Sequence, residues 1–442
     1  MRVVTNSRVR FGFLAVTLSL ALAGDAWRYT LGWWVFGVLG VLAAAGAVVL
    51  LVVDRRDWRI GDLPYPLLVF LALATLSLAW SFYPAATALG LLTTWMLVTT
   101  GVAFAVSFPW SVLRRALSAV LKVILVASLA FELFVSVVIR HPILPLAPQI
   151  NANPADYEKI PKLLYWSRNE LFEVFDEGRI QGIVGNANHL GFLALLALIV
   201  FAIEWADRVG RRWRSIAWLV VATVVLLCSR SATVTVALVV TAGVVLVVLL
   251  LRRAPTPRAR TITYAALAVA AALAVGAAVV FRSTLLDLLG KSADLTGRVG
   301  IWEKVIDLAQ QRPAFGWGWT SYWVGWVPPF DDLAFRNGVR MLQAHNAWID
   351  VWFQLGIAGL IVFGALVLST LARSWSLAVD HAQRIPGEPL PYRALPILPL
   401  AILVALLVQS LAESRLLVEF GILLLTLIAV KTKLDQKVGG TT

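Results

Sequence analysis

Apolar runs of bilayer-spanning length recur from one end of this chain to the other. About 20 such residues in a helix cross the hydrocarbon core, so runs of this kind read as membrane spans. They fall at 9–24, 31–53, 64–80, 85–107, 115–139, 189–206, 215–229, 232–251, 262–281, 347–372, 394–411 and 417–430. A few are short, so the count is about twelve, give or take one or two. Inside lipid each backbone N–H and C=O must bond within its own segment, which makes the helix the form for such runs. The expected fold is an all-α integral membrane protein of about 12 transmembrane helices, with a large outer loop that carries short amphipathic helices.

Composition agrees: 60% of residues are hydrophobic and 14% charged, a balance no soluble domain has. The formal net charge of +13 would suggest nucleic acid in a soluble protein. Here it reads as loop charge that sets orientation, with no nucleic-acid partner. With the N-terminus inside, cations gather on the even-numbered loops, as in Arg55, Arg56 and Arg59, or Arg208, Arg211, Arg212 and Arg214. The short outer loops hold single cations, Arg28, Arg230 and Arg415, and both long loops then face outward. The resulting plan is spans one to five in 1–139, an outer loop in 140–188, spans six to nine in 189–281, a large outer loop in 282–346, and the last three spans with a basic tail in 347–442.

Residues 1–24 mimic a secretory signal, with Ala21-Leu22-Ala23 as a cleavage site. The next apolar run follows within a few residues, and removal would break the inside–outside alternation. The expectation is a retained first span. The one cysteine, Cys228, allows no intrachain disulfide. The inner connectors, RRAPTPRAR (252–260) and RIPGEPLPYR (384–393), are proline-stiffened links rather than domains. The sequence has no Gly-rich phosphate loop, Asp-x-Asp, His-x-x-x-His or Gly-x-Ser-x-Gly, so no cofactor, metal or covalent nucleophile is expected.

The outer loops carry the chemistry. In 157–179, Leu163, Leu164, Leu171, Phe172, Val174 and Phe175 have the spacing of an amphipathic surface helix, either a lid or a substrate contact. A second helix is expected at about 295–310, capped by Asp294 or Thr296 and stopped by Gln-Gln-Arg-Pro (310–313). Its apolar face holds Val299, Trp302, Val305, Ile306 and Ala309. Beyond it, PAFGWGWTSYWVGWVPPF (313–330) offers tryptophans that suit interface anchoring or stacking on sugar rings.

Three arginines and a histidine stand out. Arg298 opens the loop helix, Arg340 lies farther along the same loop, and Arg230 sits in Cys-Ser-Arg-Ser (228–231) between two apolar runs. A boundary arginine often snorkels to water, but two guanidiniums converging on one point suit a diphosphate, because each forks onto phosphate oxygens. His345, followed by Asn346, lies where the large loop re-enters the membrane. An imidazole there can deprotonate a hydroxyl or can be structural. In GIVGNANHLG (182–191), Asn186, Asn188 and His189 either bind a sugar or cap the next helix. Glu132 lies within an apolar run and Arg415 follows Glu413 near the outer end of another; each is a functional candidate or a member of a Glu-Arg or Glu-Tyr structural pair.

GNANHLG (185–191), CSRSATVTV (228–236), TGRVGIWEKVIDLAQQRPAFGWGW (296–319) and AHNAWIDVWFQLGIAGL (344–360) occur in this order. As a set they resemble the O-antigen ligase and polymerase superfamily of bacterial envelope glycosyltransferases, over roughly residues 180–430. Trp348 stands where Tyr or Phe is more usual. The resemblance implies a GT-C-like membrane fold and an inverting, metal-independent transferase. Its donor is a glycan on undecaprenyl diphosphate at the outer, periplasmic face of the inner membrane. It implies diphosphate-binding roles for Arg298 and Arg230 and an essential role for His345. The leading expectation is an O-antigen ligase with lipid A-core as acceptor. The alternatives are a polymerase that joins lipid-linked repeats, a protein O-glycosylating relative and, in a different class, a lipid-glycan transporter.

Overall fold

The computed structural model describes residues 6–149, 154–176, 178–254, 256–280, 284, 297–336, 338–380 and 393–440. Asp294 and Thr296, the expected caps, and most of the 384–393 connector lie outside them. Every apolar run falls on a helix. In chain order these are α1 (Ser7–Leu22), α2 (Gly24–Val53), α3 (Tyr65–Leu76), α4 (Pro84–Ser107), α5 (Trp110–Phe134), α6 (Ala187–Ala206), α7 (Arg212–Ser229), α8 (Ala232–Arg253) and α9 (Pro257–Val280). The loop helix α10 (Arg298–Gln311) precedes α11 (Ala347–Asp380), α12 (Leu398–Ser410) and α13 (Glu419–Gly440). Among the described residues, seven helices are long and apolar enough to cross a membrane: α2, α4, α5 with its extension to Ile139, α6, α7, α8 and α11. The chain is an all-α membrane protein.

Of these seven, α6 is the most enclosed, with Leu190, Phe192, Leu193, Val200 and Phe201 fully buried in the main core. The helices α2, α4 and α13 pack in sequence against one another. A second apolar cluster lies in the large loop, where Ile301 and Val305 of α10 meet Trp323, Phe330 and Phe353.

α10 begins two or three residues later than expected and follows Gly297, a left-handed residue with no side-chain cap. Its buried face is Arg298, Ile301, Val305 and Ala309, a helical i, i+3, i+4 stripe. The expected surface helix in 157–179 is replaced by short 3-10 turns at Lys162–Leu164 and Leu171–Asp176. Tertiary hydrogen bonds draw this loop inward. Buried Glu132 accepts from Gln181 N (2.8 Å), Gly182 N (2.7 Å) and Ser167 Oγ (2.6 Å). A carboxylate that binds three donors in the interior outweighs the modest helical bias of the segment. Glu132 therefore takes its hydrogen bonds from Ser167, Gln181 and Gly182 and not from the arginine or tyrosine expected of a structural pair.

The tryptophan-rich stretch divides: Trp326 is exposed, as either expectation allows, but two others are not. Trp319 and Trp323 are buried inside the protein rather than set at an interface or open to sugars. Trp319 donates to Thr94 Oγ1 and stacks edge-on to Phe70, while Trp323 donates to Asp350 Oδ1.

This stretch also repairs a broken helix. α11 kinks at Gly356, where φ is 67°. The carbonyls of Phe353 and Gln354 accept from Trp317 N and Gly318 N. The N–H groups of Ile357 and Ala358 donate to Pro313 O and Ala314 O. A break in a membrane helix is tolerated when neighbouring backbone re-satisfies it. The approach is close: a Cβ on Gly356 would sit 2.3 Å from the Ala314 carbonyl carbon. Gly356→Ala combines that clash with an unfavourable left-handed backbone and should cost about 2–5 kcal/mol. Its melting temperature in detergent should fall well below wild type, whereas Gly243→Ala, with open space around it, should leave melting almost unchanged.

Candidate functional site

A cavity of about 640 Å³ opens among α2, α4, α13, the first long loop and the large loop. One end is apolar, lined by Gly37, Gly40 and Ala43 of α2, Met96 and Leu97 of α4, and Leu423 of α13. Gly37 to Ala43 lie 9 to 15 positions past Arg28 on α2, roughly 14–22 Å along a helix at 1.5 Å per residue. The other end is polar and lined by side chains from both long loops.

Between the two ends is a quartet of charges. Arg28 bonds Asp25 Oδ1 and Glu419 Oε1, each at 2.5 Å, and lies over Trp33 at 4.8 Å. Arg415 bonds Glu419 Oε2 at 2.6 Å and approaches Asp25 Oδ2 at 3.5 Å. Burial opposes the Arg415 charge, but Glu419 and Asp25 overcome it and raise its pKa above the ordinary arginine value. Two cations offset by two carboxylates make this layer close to neutral.

Next to it, Glu413 holds together the two residues that the sequence singled out. Arg298 Nη2 donates to Glu413 Oε1 at 2.8 Å. His345 Nδ1 lies 2.9 Å from Glu413 Oε2. Asn188 Nδ2 and Gln343 Nε2 donate to the same carboxylate at 3.2 and 3.3 Å. Burial would raise the pKa of Glu413, but His345, Arg298 and Arg415 together bring it down to about 2. An ionised carboxylate only accepts, so His345 Nδ1 carries a proton; whenever the ring is neutral, its Nε2 is the acceptor. That Nε2 is buried and has no hydrogen-bond partner among the described residues. Arg298 Nε is likewise buried without one.

Local structure explains the convergence. Trp302, one turn beyond Arg298, donates from Nε1 to Ala344 O at 2.9 Å and ties α10 to the residue before His345. Fully buried Asp350 accepts from Ala344 N at 3.0 Å and from Ser414 Oγ, so it fixes the neighbours of both His345 and Glu413. His345 is left-handed (φ 52°), a conformation that histidine adopts more readily than most residues but still uncommonly.

The remaining expected residues divide. Arg340 lines the cavity, with its Nε on Asp331 O. Arg415 lines it within the quartet. Asn186 lines it too, while its Oδ1 caps α6 by accepting from His189 N. Three others are absent from the lining. Asn346 Oδ1 caps α11 through Trp348 N and Ile349 N. His189 is buried and stacks on Phe420 at 5.1 Å, and the 3.9 Å between its Nδ1 and Asp25 Oδ2 is too long for a hydrogen bond. Arg230 is exposed, left-handed, and donates to Val174 O at 2.7 Å. Its neighbour Arg179 takes the place at the cavity wall, bonded to Asn188 Oδ1 at 2.9 Å and Ser229 O at 3.2 Å. Sequence reasoning passed over Arg179, Asp25 and Glu419, and it noted Glu413 only as a neighbour of Arg415. The available signal was a Glu-Ser-Arg triplet (413–415) in a short turn between apolar runs.

Glu413→Ala leaves a buried guanidinium unpaired, so it should destabilise the protein by about 3–5 kcal/mol. Because the native pKa of Glu413 lies below its unfolded value, its contribution is complete above about pH 4.5 and is lost as pH falls toward about 2. The gap in melting temperature between wild type and Glu413→Ala should therefore narrow over that window.

Comparison with known proteins follows this geometry. Residues 215–364 match the family model described as O-antigen ligase. The chain is 31% identical over 201 residues to the exopolysaccharide production protein ExoQ of Rhizobium meliloti, an alignment that covers 43% of this chain and 45% of that protein. The chain thus spans less than half the length of this curated relative. The matched family region includes Arg230, Arg298, Gly356 and His345. Over that region the chain resembles the O-antigen ligase family, and both likenesses support kinship with the O-antigen ligase and polymerase superfamily.

Proposed function

We propose that the protein is an O-antigen ligase of the inner membrane that works at its periplasmic face. It moves a glycan from undecaprenyl diphosphate to a sugar hydroxyl of lipid A-core, with inversion and without a metal ion, on a GT-C-like membrane scaffold. The observation that carries this reading is the Arg298–Glu413–His345 linkage at the wall of an amphiphilic cavity. A lipid-linked glycan is itself amphiphilic, with an apolar tail, a charged link and a polar head. The apolar arm suits the tail, and the loop end suits the sugars.

In this reading the acceptor hydroxyl gives its proton to His345 Nε2 as its oxygen bonds the anomeric carbon. The bond from that carbon to the diphosphate oxygen breaks, and the electron pair leaves with the diphosphate. Arg298 faces the developing charge in a site that excludes water, where a placed donor is worth most. Glu413 keeps the imidazole in the tautomer that accepts at Nε2 and stabilises the imidazolium that forms. Arg179 is closer to this point than Arg230 through the bond it shares with Asn188, so the diphosphate role expected of Arg230 passes in part to Arg179.

A second reading has one observation in its favour: the matched relative is named for exopolysaccharide production. There the same donor chemistry would act on a second lipid-linked repeat, as in a polymerase.

His345→Ala and Arg298→Ala should insert in the membrane yet lose transfer by about 100- to 1000-fold in proteoliposomes. Transfer near wild-type rates by either variant removes the proposed role. Proteoliposomes supplied with lipid-linked glycan should consume lipid A-core, and chelator should leave the rate unchanged. Consumption of a second lipid-linked repeat instead establishes the polymerase reading, and a rate lost to chelator and restored by divalent ion overturns the metal-free one.

A further inference from the structure

The turn Leu171–Asp176 of the first long loop has three distinct sides. It is a 3-10 helix, so residues three apart lie one above the other. Leu171 and Val174 share one side and pack against the main core. Phe172 and Phe175 share the second, and they are 67% and 97% exposed. Glu173 and Asp176 share the third, which is also exposed. Neither phenylalanine lines the cavity, so the proposed transfer gives this pair no role.

Hydrogen bonds fix the height of the turn. Val174 O accepts from Arg230 Nη1 at 2.7 Å. Just past the turn, Arg179 Nε donates to Ser229 O at 3.2 Å and Ile180 N donates to Cys228 O at 3.1 Å. Cys228 and Ser229 end α7, and Arg230 lies in the short turn between α7 and α8. Both helices are long and apolar enough to cross a membrane, so the turn that joins them marks an edge of the bilayer. The loop segment is thus bonded to that edge at three successive residues.

The neighbouring helix surface is apolar and open. On α7, Val220, Val224 and Leu227 are exposed at i, i+4 and i+7, a stripe that runs to the end of the helix. On α8, Val236, Val239 and Val240 are exposed near the same end. Acyl chains cover such a surface on a membrane-crossing helix. Phe172 and Phe175 extend it at its rim. A segment with one side on protein, one apolar and open, and one acidic fits the line where protein, lipid and water meet. Left in water, two aromatic rings would gain nothing from burial.

We propose that Phe172 and Phe175 form a membrane hook: they enter the phospholipid leaflet beside the α7–α8 turn and pin the first long loop to the bilayer surface. The partner is the lipid surface itself, met at the boundary of headgroups and acyl chains. The hook steadies the segment that carries Arg179 into the cavity wall. Its geometry stands whether or not the transferase reading does.

The test uses spin labels on the full-length chain in nanodiscs of phosphatidylethanolamine and phosphatidylglycerol. Cys228 is the one cysteine, so Cys228→Ala gives a background without any. Labels enter one at a time through Phe172→Cys, Glu173→Cys, Phe175→Cys and Asp176→Cys. Collisions with oxygen, which concentrates in lipid, are compared with collisions with a water-soluble nickel chelate. Labels at 172 and 175 should favour oxygen, as a label in Leu227→Cys does on the lipid face, and labels at 173 and 176 should favour the chelate. Chelate preference at 172 and 175 puts the rings in water and overturns the proposal. Few collisions with either reagent there put the rings against protein, a second copy or another partner, and overturn it equally. Pinning has its own readout: a label at 173 should gain motion when Phe172→Ser and Phe175→Ser are combined, with melting near wild type. An unchanged spectrum in that variant removes the pinning role.

Discussion

The buried carboxylate of Glu413 is the interaction on which this site depends. It accepts from Arg298, His345, Asn188 and Gln343, four side chains from three separate parts of the chain. A cation in the first turn of a helix is opposed by the helix dipole, and Arg298 begins α10, so a carboxylate at that point offsets the repulsion. The same carboxylate chooses the tautomer of His345. Removing it would leave a buried guanidinium and an unoriented imidazole at once. Asp350, Trp302 and Ser414 hold the frame around it through bonds to backbone and side chain.

The cavity joins two environments that rarely share one space. Its apolar arm lies among α2, α4 and α13. Its loop end is dense in guanidinium groups. The paired quartet of Asp25, Arg28, Arg415 and Glu419 separates them with little net charge. Charges in a low-dielectric setting are costly unless paired, which accounts for the tight pairing of these buried side chains. Farther out, contact with water lowers that cost and positive charge can accumulate.

Much of this architecture could be read from residue order alone. The apolar runs located the helices, because a backbone inside lipid has few other ways to bond itself. Arg298 and His345 were legible because polar groups at a membrane boundary are few, and their motifs resemble a known superfamily. Glu413 was not, because its importance arises from three segments that meet in space, and one-dimensional spacing does not encode that meeting. Arg179 escaped notice among many loop arginines, whereas Arg230 drew attention through its motif but lies outside the cavity lining. The 157–179 segment misled because its apolar periodicity was real, yet Glu132 holds Ser167 within it and the backbone of Gln181 and Gly182 just after it. Trp319 and Trp323 of 313–330 misled in the opposite sense: they fill the core beside a broken helix, while Trp326 stays exposed.

The most direct measurement is a cryo-EM map of the full-length chain in nanodiscs with undecaprenyl diphosphate bound. The account predicts the diphosphate within hydrogen-bonding distance of Arg298, on the side of His345 that presents Nε2, with the isoprenoid entering between α2, α4 and α13. Density for the lipid at another face of the bundle, or a diphosphate far from Arg298 and His345, would contradict it.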